Sequence, residues 1–305
     1  MKQDLVFKND EGEFLKLCID VTVYWQGSVF DRVHGVLDFY AQALSVIRND
    51  VKYYVTETME GARKIKDNTF ELVPFWFAQS KKKRGLYIFI LEGGEKADTI
   101  SDVGFYLHAD EEGEGKCGAL RLILPVSCVD HPQKFVEIAK SLVRNLDFQS
   151  GHAGFAINWH PTADSADDAL SVFPTIARRY PGIDLSDLNM TLYAIRDARQ
   201  PGIKCINWLT LLGSDLTMAA GGIEALRAQL PSDCPIYPLE KGGCLIQAGE
   251  RPDVGDKNLN AILPSYGAVG HLLAPLRFAN HPEFIGSTSA VPDEDLTAEW
   301  LSRFD

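Results

Sequence analysis

Nothing in this 305-residue chain resembles a run of about 18 apolar residues long enough to cross a bilayer. Its first residues, MKQDLVFKNDEGEF, lack the apolar stretch of a secretory leader. Both absences predict a cytoplasmic protein with no membrane partner. CxxC pairs are missing as well. Cys18, Cys117, Cys128, Cys205, Cys234 and Cys244 are scattered, several in apolar runs, which reads as buried thiols rather than a zinc site or a disulfide framework. GxSxG, HExxH, Walker and GxGxxG patterns are absent, so no short catalytic, metal or cofactor motif is available. Basic charge is also scarce: 30 Lys and Arg stand against 42 Asp and Glu, a net charge of −12. Phosphate contacts need a basic face, so direct nucleic-acid binding is not expected. The cluster Lys81-Lys82-Lys83-Arg84 has no interleaved aromatics and reads as a solvated turn between strands.

What is present is periodicity of two kinds. Phe14 to Trp25 alternates, with Leu15, Leu17, Ile19, Val21 and Val23 on one face, and predicts a strand. After Gly27-Ser28, Phe30, Val33, Leu37, Tyr40, Leu44 and Ile47 step by three and four, the spacing of an amphipathic helix. Further strands are predicted at Tyr53 to Thr56, Leu72 to Ala78, Leu86 to Leu91, Val103 to Leu107 and Ala119 to Leu124 from their β-branched and aromatic content. Asp130 is placed to cap a helix over 131–146, and GHAGFAINWH follows as a strand. Ser165 with Asp167 and Asp168 opens another helix, which Pro174 should interrupt or restart.

Farther on, Ile203 to Leu212 is nearly continuously apolar and predicts a central strand. Ser214 should cap the next helix, reaching about Leu230 with a kink at Gly221-Gly222. Ile236-Tyr237-Pro238-Leu239 and CLIQA should form a hairpin. The fold class expected is α+β: mixed, largely antiparallel sheets with packed helices, arranged as two ferredoxin-like β-α-β-β-α-β halves. The halves would be residues 1–180 and 181–305, packed as one compact unit.

Polar candidates are few. His108 and Asp110 share a strand face, but a hydrolytic metal site needs further acids. His131, His152 and His160 sit at element ends, where capping explains them, and Trp25, Trp159 and Trp208 read as core.

One stretch carries more. YPG at Tyr180 to Gly182, DLNMT at Asp187 to Thr191, INWLTLL at Ile206 to Leu212, LIQAG at Leu245 to Gly249 with Arg251-Pro252, and the closing AEWLSRFD resemble, in order and spacing, the type VI secretion immunity proteins that guard against VRR-Nuc nuclease effectors. The words span roughly the last 125 residues; the first 150 match in layout only. The resemblance implies a non-enzymatic protein without cofactor that binds a cognate nuclease effector and blocks its access to nucleic acid. An acidic surface suits that task by steering and complementarity. The acids expected at the interface are Asp110, Glu111, Glu112 and Glu114 in one loop, and Asp164, Asp167 and Asp168 at a helix start. The rival readings are immunity or scaffolding toward a different toxin, and a hydrolase using scattered His and Asp residues.

Overall fold

The computed structural model describes residues 5–10, 12–79, 84–97, 99–159, 163–286 and 296–305, with the side chains of 163–166 outside the description. The chain opens with β1 (Val6–Asn9) and β2 (Gly12–Gln26), followed by α1 (Val33–Ile47), β3 (Tyr53–Thr56), β4 (Arg63–Lys64) and α2 (Leu72–Ala78). Next come β5 (Leu86–Glu92), β6 (Gly104–Asp110), β7 (Cys117–Leu124), α3 (Pro132–Val143) and β8 (Ser150–Trp159). The rest comprises α4 (Ala163–Arg179), α5 (Leu188–Asp197), β9 (Leu209–Leu212), α6 (Ser214–Ala219), α7 (Gly222–Gln229), β10 (Ile236–Pro238), β11 (Cys244–Gln247), α8 (Pro264–Leu273) and α9 (Leu296–Leu301).

All described strands join one antiparallel sheet, ordered β10-β11-β9-β8-β2-β7-β6-β5-β3-β4, with β1 also paired to β2. The α+β class and the largely antiparallel pairing are therefore present. The two ferredoxin-like halves are not: β8 bonds β9, so strands from both parts of the chain continue a single sheet.

β2 is the axis of that sheet, because its 15 residues are long enough to pair β8 along one side and β7 and then β1 along the other. Its alternation sorts two faces. Ile19, Val21, Val23 and Trp25 enter the main core with Val36 and Phe39 of α1 and Phe135 and Leu142 of α3. Tyr24 turns to the opposite face, where Leu192 and Ile195 of α5 cover it together with Phe278. Leu15 and Leu17, near the start of β2, pack instead with Phe173 and Ile176 of α4 and Trp300 of α9.

Several local expectations are overturned. Leu72 to Ala78 is helix α2, not a strand: Val73, Trp76 and Phe77 bury at a spacing of three and four, and Pro74 is tolerated in a first helical turn but not inside a sheet ladder. Only Leu209 to Leu212 of the predicted strand over 203–212 is strand. Residues 203–208 are buried but irregular, because Lys204 and Asn207 turn their polar side chains into bonds within the core. Asp130 ends a 3-10 turn (Val126–Asp130), and His131 is the N-cap of α3, with Pro132 beginning the helix. Gly213 rather than Ser214 occupies the N-cap of α6. Pro174 does not stop α4, whose buried Ala169, Phe173, Ile176 and Ala177 hold one apolar side through the proline. The expected kink at Gly221-Gly222 is a full break between α6 and α7, with φ of 88° and 84° that favour glycine. The run Lys81 to Lys83 and His160 lie outside the described residues, while Arg84 pairs with Glu57 and lies over the Trp76 ring.

Candidate partner-binding surface

The polar residues that the sequence left unassigned converge inside the protein. β2 and β7 place Asp20 and Arg121 on the same sheet face, and Arg121 Nε donates to Asp20 Oδ2 at 2.6 Å. Another guanidinium nitrogen of Arg121 donates to the Ile157 carbonyl at 2.9 Å. Ser186 Oγ lies 3.5 Å from Asp20 Oδ2 and donates to Asp184 Oδ2 at 3.0 Å. Lys204 Nζ then meets both Asp184 oxygens at 2.9 and 3.0 Å and the Leu185 carbonyl at 2.9 Å. His152 Nε2 stands 3.2 Å from Asp184 Oδ2 without hydrogen-bond geometry.

Burial by itself would raise the pKa of Asp184, but the charges and bonds of its neighbours outweigh it and hold the carboxyl well below the usual range. The same burial pushes the Cys205 thiol up to about 11, with Asp184 adding to the rise. Asp20, Asp184, Arg121 and Lys204 are all buried. The network is suited to fixing β2, β7, β8 and the segment 184–204 against one another. Its members were hard to find from sequence because Asp184 and Lys204 sit in apolar words, and His152 reads as a strand-end residue.

A cleft of about 290 Å³ lies over the outer strands, between Ile88, Tyr106 and His108 on the sheet and Asp187, Leu188 and Met190 at the start of α5. His108 has its pKa lowered by burial, partly opposed by Asp110, which favours a neutral imidazole. The Asp187 carboxylate is occupied as the N-cap of α5, accepting from Met190 N at 3.0 Å. Among the described residues no group of three or more His, Cys, Asp or Glu is arranged to hold a metal ion, and no helix is long and apolar enough to cross a membrane.

The acidic candidates differ in their surroundings. Glu111 is held inward: its carboxylate accepts from Val29 N at 2.6 Å and Ser28 Oγ at 2.8 Å, and lies 3.2 Å from Lys116 Nζ. Asp110 accepts from Glu112 N at 2.9 Å and is partly covered, whereas Glu112 and Glu114 are exposed. On α4, Asp167 is exposed, Asp168 accepts from Asn9 Nδ2 at 2.6 Å, and the side chain of Asp164 lies outside the description.

These two groups stand at opposite ends of the sheet. Cys117, just after the first group, pairs with Gln26, whereas Trp159, just before the second, pairs with Leu15. That stretch of β2 corresponds to roughly 36 Å at ~3.3 Å per residue.

A type VI secretion system protein of Pseudomonas aeruginosa, PA0821, superposes with a TM-score of 0.83 at 20% identity, over 100% of this chain and 88% of that one. At that identity the likeness speaks for the fold. No curated protein sequence matches significantly. The family model TsiV, described as type VI immunity for VRR-NUC, matches residues 34–304 and so reaches well into the first 150 residues, where the words of the signature are missing. The chain belongs to the TsiV family of type VI immunity proteins.

Proposed function

We propose that this protein neutralises a cognate VRR-Nuc effector by binding it directly in the cytoplasm and keeping it from nucleic acid, without catalysis of its own. The observation that carries the reading is the family match over residues 34–304, whose description names the VRR-NUC target. The net charge of −12 supports it physically. A nuclease must offer cations to phosphates, and an acidic protein competes for that surface and is drawn to it at long range. The acidic contacts are proposed to come from one of two groups, Asp110, Glu112 and Glu114 at one end of β2 or Asp164, Asp167 and Asp168 at the other; Glu111 would act by shaping its loop.

The test is to express the neighbouring effector gene in a heterologous bacterium with and without this chain, then to co-purify the two proteins and assay nuclease activity. Rescue of growth, a stable complex and loss of DNA cleavage in proportion to complex formed are expected. Toxicity that persists, with no complex at micromolar concentrations of both proteins, overturns the proposal.

A further inference from the structure

Six large hydrophobic side chains are exposed among the described residues. Val46, Phe75, Tyr193 and Met218 lie singly on α1, α2, α5 and α6, as isolated surface apolar residues commonly do. Leu259 and Ile262 are different. They are 62% and 82% exposed, three positions apart on one loop, and Leu259 lines the rim of a cavity of about 390 Å³. Leu17, Val126, Val129 and Phe155 give that cavity an apolar lining.

The loop that carries them is pinned in place. Asp256 receives Arg179 through two bonds of 2.9 and 2.8 Å and also accepts from Asn258 N at 3.0 Å. The Asp256 carbonyl accepts from Leu259 N at 2.9 Å and Ala261 N at 3.2 Å, closing the turn around left-handed Asn260. At the loop's base, Gly182 N donates to Val254 O at 3.0 Å, and a Cβ on Gly182 would stand 1.9 Å from the Asp253 carbonyl. Apolar side chains presented on a preorganised loop lose little conformational entropy when they are buried by a partner.

Charge selects the occupant. A second copy of this chain would bring another −12 to the contact. A nuclease surface shaped to hold phosphate brings cations instead; around the cavity Glu250, Asp253 and Asp130 outnumber the cations Arg251 on its wall and Lys257 on the loop, while Asp256 is already paired with Arg179. We infer that Leu259 and Ile262 are the apolar anchors with which this protein docks onto its VRR-Nuc effector, the adjacent cavity accepting an apolar side chain in return. The inference rests on the immunity reading above and adds the residues that carry it.

The experiment compares the unaltered protein with Leu259→Ser/Ile262→Ser and with Met218→Ser, an exposed apolar residue on α6 that serves as control. Affinity for the purified effector is measured by calorimetry, thermal melting checks the fold, and sedimentation gives the oligomeric state. The double variant should melt like the parent yet bind at least about 30-fold more weakly, in keeping with loss of two interface anchors, while the control binds unchanged. Equal binding by the double variant and the parent overturns the anchor assignment and leaves the immunity reading intact. A parent protein that forms no complex removes both. A parent dimer that the double variant breaks, with effector affinity unchanged, would make the loop a self-association surface and also overturn the assignment.

Discussion

Asp184 shows what a single buried charge does in this protein. Replacing it with Asn leaves Lys204 in the interior without its counter-charge, a situation that costs on the order of 3–5 kcal/mol. Asp184→Asn should therefore lower Tm by roughly 5–8 °C in calorimetry. Adding Lys204→Met should recover part of the loss, because the unpaired charge is then gone.

His281 gives a pH dependence of stated sign. Burial, set against a bond to the Pro282 carbonyl, pushes its pKa down to about 4, with Lys204 lowering it further. Nδ1 lies 2.8 Å from that carbonyl, which can only accept, so this nitrogen carries the proton of the neutral ring. The folded state keeps His281 neutral while the unfolded chain takes up a proton near pH 6.5. Its stabilising contribution is thus complete above about pH 6.5 and is lost as pH falls toward 4, on the order of 3 kcal/mol in all. His281→Gln should flatten the dependence of denaturant-measured stability over that window.

At the scale of elements, the loop between β6 and β7 shows how a surface acid can be a folding residue. Glu111 ties this loop to the turn before α1 through Val29 N and Ser28 Oγ, residues 82 and 83 positions away. Glu111→Ala strands the buried Val29 N–H and should cost about 1–3 kcal/mol in chemical denaturation. Glu112→Ala and Glu114→Ala, on exposed side chains, should stay within about 0.5 kcal/mol of the parent. An alanine scan of the loop that reads only effector binding would otherwise mistake the first effect for a lost contact. A similar division appears at α5, whose cap Asp187 lies beside the outer cleft but serves the helix: Asp187→Ala should cost about 1 kcal/mol.

Across the whole molecule, the two acidic groups are separated by most of the length of β2. An interface of ordinary size buries about 800 Å² on each partner, too little to span both ends with strong contacts. Only one group should therefore respond to charge reversal. The Leu259–Ile262 loop borders a cavity that includes Leu17 and Phe155, nearer the Leu15–Trp159 end. Asp167→Lys is thus expected to weaken effector binding several-fold and to reduce its salt dependence, whereas Glu112→Lys/Glu114→Lys leaves both almost unchanged. Titrations at two ionic strengths decide it; the opposite ranking would place the effector at the other end of the sheet.

The sequence alone determined the α+β class, most strand positions, an irregularity at Gly221-Gly222, the acidic sign of the surface and the family. Each of these is written in neighbouring residues: alternation along Phe14 to Trp25, steps of three and four in α1, paired glycines, ordered words over the last 125 residues. Tertiary structure decided what depends on distant partners. Leu72 to Ala78 has strand composition but folds as α2, because packing outweighs a weak local preference. Lys204 joins Asp184 across 20 positions, Arg121 joins Asp20 across 101, and Glu111 is drawn inward by Val29. Leu259 and Ile262 belong to no periodic run that the sequence singles out, and only the pinned loop leaves them in water. Local periodicity reports which face of an element is apolar; which face another part of the chain will cover is set by the packing of the whole sheet.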